Sequence, residues 1–297
     1  MRVAVTGSSG LIGSALLREL ASAGHDVRRL VRRRPGAPDE VQWDPAAHSI
    51  PADALDGVDA VVHLAGVGIA DHRLTEDHKR AVLDSRIDGT TTIADAVART
   101  DPLPVLLSAS AVGWYGDSGA RVVDESAPAG SGFLAQVCES WEGATSVARQ
   151  AGARVLLLRS GLVLARKGGM LERMRPLFRA GLSGRLGSGK QYWPWISLAD
   201  EVGAMRFLIE SATDVAGPVN LAGPTPVTNA EFTATLGRIL HRPTTLPVPR
   251  FALRAVLGEF ADEGVLAGQR AVPTVLLGAG YEYAHDTLDA ALRWAID

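Results

Sequence analysis

Thr6-Gly7-Ser8-Ser9-Gly10-Leu11-Ile12-Gly13 is the stretch on which the fold turns. Its three glycines, spaced G-x-x-G-x-x-G, stand between a short apolar run, Arg2 to Thr6, and a helical pattern from Leu11 to Ala23. Leu11, Ala15, Leu16 and Leu20 recur on one face of that helix, and Gly24 ends it. Each glycine answers a separate demand. Gly7 lets the chain leave a strand in a tight turn. Gly10 puts no side chain in the path of a pyrophosphate, and Gly13 lets the helix pack close to the sheet. The helix N-terminus then offers free N–H groups and the positive end of its dipole to phosphate. Glycine spacing alone is weak evidence, since a plain strand–helix turn can carry it. Directly after an N-terminal strand it is the context of a Rossmann-type dinucleotide site. Gly7, Ser9, Gly10, Leu11, Ile12 and Gly13 are therefore expected to line a cofactor.

Working outward, strand and helix patterns alternate. Asp26 to Val31, Ala60 to Leu64, Val105 to Ser108 and Arg154 to Leu158 read as strands. Helices are expected over about Thr75 to Ala98 and Phe133 to Gln150. This order predicts βαβ units and a doubly wound parallel sheet over residues 1–165. From Arg166 to Trp195 the chain is rich in glycine and basic residues and reads as a loop-rich lobe or lid. The expected division is a cofactor domain at 1–165, a substrate lobe at 166–246 and a small C-terminal domain at 247–297. Val219 to Leu221 is apolar and is allowed as a late strand returning to the sheet. Helix-like runs at Phe251 to Leu257 and Leu288 to Ala295 mark the end of the chain. The fold class is α/β, with a smaller C-terminal α+β lobe.

The end of the second strand chooses the cofactor. A carboxylate there would accept from the ribose 2′-hydroxyl of NAD. Here Val31 runs into Arg32-Arg33-Arg34, and no carboxylate follows until Asp39. Guanidinium groups bind a 2′-phosphate in forked geometry. The cofactor is expected to be NADP(H), with Arg32 and Arg33 as contacts; the alternative is a solvated basic turn.

Composition narrows the partners. A net charge of −3 gives no reason to expect nucleic acid. A single cysteine, Cys138, allows no internal disulfide and no multi-cysteine metal site. No apolar run approaches the roughly 20 residues that span a bilayer, and the first residues do not read as a signal peptide. A cytoplasmic protein with a small-molecule substrate, no metal and no membrane partner is expected; a homo-oligomer is compatible with this.

Further segments resemble the short-chain dehydrogenase/reductase superfamily, extended, NAD-dependent epimerase/dehydratase-like class. They are Asp59 to Gly66, Ser108 to Gly116, Arg159 to Val163 and Trp195 to Glu201. A narrower likeness, to the "epimerase family proteins" with their C-terminal domain of unknown function, is carried by several short runs. These include Trp43-Asp44-Pro45, Asp84-Ser85-Arg86, Trp141-Glu142, Gly187-Ser188-Gly189 and Gly268 to Pro273. The resemblance spans essentially the whole chain. It implies that Leu64, Ala65, Gly66, Arg86, Ser108 and Val163 line the cofactor and that Ser110 is the active-site serine.

The superfamily's acid–base pair, Tyr-x-x-x-Lys, occurs nowhere in the chain. Matching Glu142 to the Glu that commonly follows the pair puts Leu134 and Cys138 at its two positions. Gly130 to Ala148 contains neither Tyr nor Lys. Ser110 and Tyr115 remain as catalytic candidates, with packing the alternative for Tyr115. Cys138 reads as an inert buried thiol and His63 as a packed residue. Neither Glu139 nor Glu142 has an evident partner in the sequence. Two functions stay open. One is an NADP(H)-dependent epimerase or reductase on a small hydroxylated or carbonyl substrate. The other is a non-catalytic NADPH-binding sensor.

Overall fold

The computed structural model describes residues 1–181, 183–211 and 214–296. Seven parallel strands form its main sheet. They are β1 (Arg2–Thr6), β2 (Asp26–Val31), β3 (Glu40–Gln42), β4 (Ala60–His63), β5 (Val105–Ala111), β6 (Val155–Ser160) and β7 (Gly217–Leu221). Their spatial order is β7-β6-β5-β4-β1-β2-β3. The chain builds β2 and β3 on one side of β1, then crosses to β4 on the other. This reversal opens a crevice between β1 and β4 at the carboxyl ends of the strands, where open α/β sheets bind ligands. The glycine turn lies there, between β1 and helix α1 (Leu11–Ser22).

Both faces of the sheet are covered, as near-continuous apolar strands such as β4 require. On one face α1 and a helix at Leu198–Glu210 bury Leu16, Leu20, Met205 and Leu208 against Val3, Val5 and Val62. On the other, helix α2 (Glu76–Ala98) packs Ile93 and Val97 against Val61 and Leu106. A third cluster, around Trp193, Trp195, Phe232 and Leu292, holds the C-terminal lobe.

Three expectations change, and one helix was not foreseen. The late strand is longer than expected and pairs in register with β6, Val219 opposite Leu158. The helix expected over Phe133 to Gln150 is two: α3 (Phe133–Gly143) and α4 (Ser146–Gln150). Between them Thr145 Oγ1 donates to the Glu142 carbonyl at 2.7 Å, a side-chain bond that competes with the helical ladder. The glycine- and Arg-rich stretch contains a helix, α5 (Gly169–Arg179), held by buried Leu171 and Phe178. The unforeseen helix, at Asn229–Ile239, opens with a capping box from Thr228 and Glu231, a pattern the sequence itself carries.

The C-terminal segment is spread over the rest of the molecule. Arg270–Ala271 pairs in parallel with Val122–Val123. Leu276 joins the core beneath the main sheet, while Leu288 and Leu292 join the lobe. At about 1.5–3 kcal/mol for each fully buried apolar side chain, both attachments count.

Candidate cofactor site and its buried support

The turn meets the demands that its glycines impose. Gly7 has φ +66°, and a Cβ there would stand 2.8 Å from the Leu64 carbonyl. A Cβ on Gly13 would overlap the Gly7 carbonyl oxygen, so this glycine serves helix-to-turn packing rather than the helix-to-sheet packing expected. Gly10 is exposed, and its nearest neighbour to an added Cβ is the Gly7 oxygen at 3.3 Å. It caps α1 with no side-chain hydrogen bond, leaving the first helical amides to face outward. Thr6 braces the turn from below: its Oγ1 accepts from the Leu64 and Ala65 amides at 3.0 and 3.1 Å.

A cavity of about 650 Å³ opens over this turn. Gly7 to Gly10 form one wall, Leu30 to Arg33 another, and Leu64 to Val67 a third. Asp84, Ser85 and Trp43 close it. Of the expected contacts, Gly7, Ser9, Gly10, Arg32, Arg33, Leu64, Ala65 and Gly66 line it; Leu11, Ile12, Gly13, Arg86, Ser108 and Val163 do not. Leu11 and Val163 are nonetheless close neighbours, because Gly169 folds against both the Leu11 side chain and the Val163 carbonyl.

The basic turn is only partly as expected. Arg33 is bound at 2.7 and 2.6 Å to both oxygens of Glu40, whose side chain is 2% exposed. The sequence hides this partner, because Glu40 reaches the end of β2 only through the pairing of β3. Arg33 and the Gly36 amide hold the Glu40 carboxyl down at about 2. Among the described residues no hydrogen bond or ion pair occupies the Arg32 guanidinium, which remains available to a phosphate.

Arg86 is 6% exposed. Its Nη1 donates to the carbonyls of Val67 and Val82 at 2.9 and 3.0 Å, its guanidinium lies 4.6 Å from the Trp141 ring centre, and its Nε has no partner. Burial lowers it to about 10, so it stays charged at neutral pH. Ser108 is wholly buried inside β5, two residues short of Ser110 near the strand's carboxyl end, and its Oγ has no partner.

Ser110 stands at that end, and the sequence missed its support. Its hydroxyl donates to Glu142 Oε1 at 2.7 Å. Glu142 is clamped by Arg159, Nε to Oε1 at 2.8 Å and Nη2 to Oε2 at 2.9 Å. The pair that Glu142 lacked in sequence is thus supplied by β6. Tyr115 lies behind it, 2% exposed, accepting from Arg159 Nη1 at 3.2 Å and donating to Asn220 Oδ1 at 2.7 Å. Both hydrogen-bonding directions of the phenol are used inside the protein, which favours its packing role over a catalytic one. Burial raises the phenol further from its ordinary range, against the opposing pull of Arg159. Cys138 is a buried neutral thiol, pushed up to about 11 by burial and by the Glu142 charge. His63, lowered to about 4 by burial, bonds Thr6 Oγ1 at 2.8 Å, as a packed residue should. No cluster of metal-ligating side chains occurs among the described residues, and no helix there is long and apolar enough to cross a membrane.

Comparison with known proteins agrees with this geometry. Residues 3–222 match the NAD dependent epimerase/dehydratase family, and residues 248–295 match a domain of unknown function (DUF1731). The chain is 54% identical over 293 residues to epimerase family protein Mb2239 of Mycobacterium bovis, covering 99% of this chain and 97% of that one. It is 38% identical to epimerase family protein SDR39U1 of Mus musculus, over 99% of both chains. The crystal structure of human epimerase family protein SDR39U1 (isoform2) with NADPH superposes with a TM-score of 0.91 at 35% identity, over 100% of this chain and 99% of that one. With the strand-end crevice, the glycine turn and these matches in hand, the chain belongs to the NAD dependent epimerase/dehydratase family and carries that domain of unknown function at its C-terminal end.

Proposed function

We propose that this protein binds NADP(H) in the crevice between β1 and β4 and acts, as an epimerase- or reductase-like protein, on a small hydroxylated or carbonyl substrate. The observation that carries the reading is the cavity joining the uncapped α1 terminus to Arg32. Pyrophosphate would lie on the amides after Gly10, beside Ser9, Leu11, Ile12 and Gly13. The 2′-phosphate would meet Arg32, with Arg33 held alongside by Glu40. Leu64, Ala65, Gly66 and Trp43 would flank the adenosine half, and Arg86 and Val163 the far half. The bound cofactor supplies hydride exchange; the chain supplies binding, orientation and, through Ser110, a polar seat for the substrate. The human relative solved with NADPH supports this choice of cofactor. A cytoplasmic setting and a small-molecule partner belong to the same reading.

The test is a fluorescence titration with NADPH and NADH, followed by stopped-flow turnover on aldehydes, ketones and sugar nucleotides. Preference for NADPH and turnover lost on Ser110→Ala are expected; equal affinity for both cofactors would overturn the assignment. A second reading, a non-catalytic NADPH sensor, is favoured by one observation: the helix that bonds Ser110 through Glu142 carries Leu134 and the neutral Cys138 thiol and has neither tyrosine nor lysine. Tight NADPH binding without oxidation on any substrate would select it.

A further inference from the structure

We propose that Ser110 takes its ligand as a hydrogen-bond acceptor, so that the group seated on it is a hydroxyl and not a carbonyl. This rests on reading the strand-end crevice as the cofactor site. A serine hydroxyl has one proton to give and two lone pairs. At Ser110 the proton is committed to Glu142 Oε1 at 2.7 Å. The recipient cannot turn away, since both of its oxygens are clamped by Arg159 and the two side chains are 6% and 3% exposed.

The support behind this pair is directional. Arg159 has donors only. It gives Nη1 to the Tyr115 oxygen, Tyr115 gives its proton to Asn220 Oδ1, and Asn220 Nδ2 gives to the Val272 carbonyl at 2.9 Å. Trp114 lies 4.0 Å from the guanidinium and fixes its plane. The Glu142 carboxylate can only accept, and no acceptor on Arg159 competes for the Ser110 proton, so Ser110 donates it to Glu142 Oε1. Turning the hydroxyl towards a ligand carbonyl would exchange a charge-assisted bond for a neutral one, and the former is roughly twice as strong. The nearby Cys138 stays a thiol and offers no comparable acceptor. What Ser110 Oγ presents to a ligand is lone pairs, and a ligand hydroxyl satisfies them where a carbonyl oxygen would face them oxygen to oxygen.

Joint neutron and X-ray diffraction of D₂O-exchanged crystals with NADPH tests the assignment directly. The Ser110 deuteron is expected on the line to Glu142 Oε1; a deuteron pointing into the crevice or at Cys138 overturns it. The same crystals, soaked with propan-2-ol or acetone at equal concentration, offer one skeleton in hydroxyl and carbonyl form. At least tenfold higher occupancy of the alcohol at Ser110, lost in Ser110→Ala, supports the proposal. Acetone seated on Ser110 through its carbonyl overturns it, and if neither probe seats, the deuteron decides. Should NADPH fail to bind in solution, the cofactor reading falls, while the deuteron position in cofactor-free crystals still answers for Ser110.

Discussion

Arg32 and Arg33 are neighbours in sequence with different tasks. Arg33 is tied to Glu40 before any ligand arrives, whereas Arg32 is uncommitted. Arg32→Ala should therefore weaken NADPH by about 1–3 kcal/mol, roughly five- to 150-fold, and leave NADH nearly unchanged; calorimetric titration of both cofactors reads this. Glu142→Ala should cost about 3–5 kcal/mol in urea unfolding, because Arg159 is left charged and buried. Glu201, fully buried with Ser160 donating to it at 2.6 Å, is pushed up to about 8 by burial. A carboxyl raised above its unfolded value contributes stability below that value and loses it as pH rises through the folded one. Wild type should thus lose stability relative to Glu201→Gln as pH rises from about 4.5 through 8, visible as diverging urea midpoints. Parallel midpoints across that window would refute the assignment.

The glycine turn separates two kinds of demand within one element. Gly13→Ala places its methyl against the Gly7 carbonyl and should destabilise the fold, by about 1–3 kcal/mol as overpacking does. Gly10→Ala meets only a 3.3 Å neighbour. It should melt near the wild-type temperature yet bind NADPH at least tenfold more weakly, since its methyl stands where phosphate would. Elements whose signal is local were legible in the sequence: β1, α1, the turn and α2. Those that depend on partners were not. β3 is three residues long and shows itself only by pairing with β2. The amphipathic face of α5 was masked by glycines and arginines around it. The same limit applied to the site. The glycines and Arg32 could be read in place, but Glu40 beside Arg33 and Arg159 beside Glu142 are meetings across the sheet that spacing does not encode.

Across the whole molecule, the two halves of the proposed site draw on different lengths of chain. Every residue lining the cofactor cavity lies at or before Asp88. The support of Ser110 runs on to Asn220 and to the backbone of Val272, and Glu125 Oε1 joins the amides of Asn220 and Val275 at 3.0 and 3.3 Å. Contacts so distant in sequence bear the larger loop-closure cost and form late. In pulse-labelled refolding the Val3 and Val62 amides should gain protection before those of Asn220 and Val275; simultaneous protection would contradict this order. On the ribosome the consequence is a sequence of maturation. The nucleotide seat can be complete while roughly the last fifty residues are still in the exit tunnel or just beyond it, whereas the outer brace behind Arg159, through Asn220 to the Val272 carbonyl, closes only when the tail has docked. A chain that ends early would keep the nucleotide seat and lack the outermost brace of the seat proposed at Ser110.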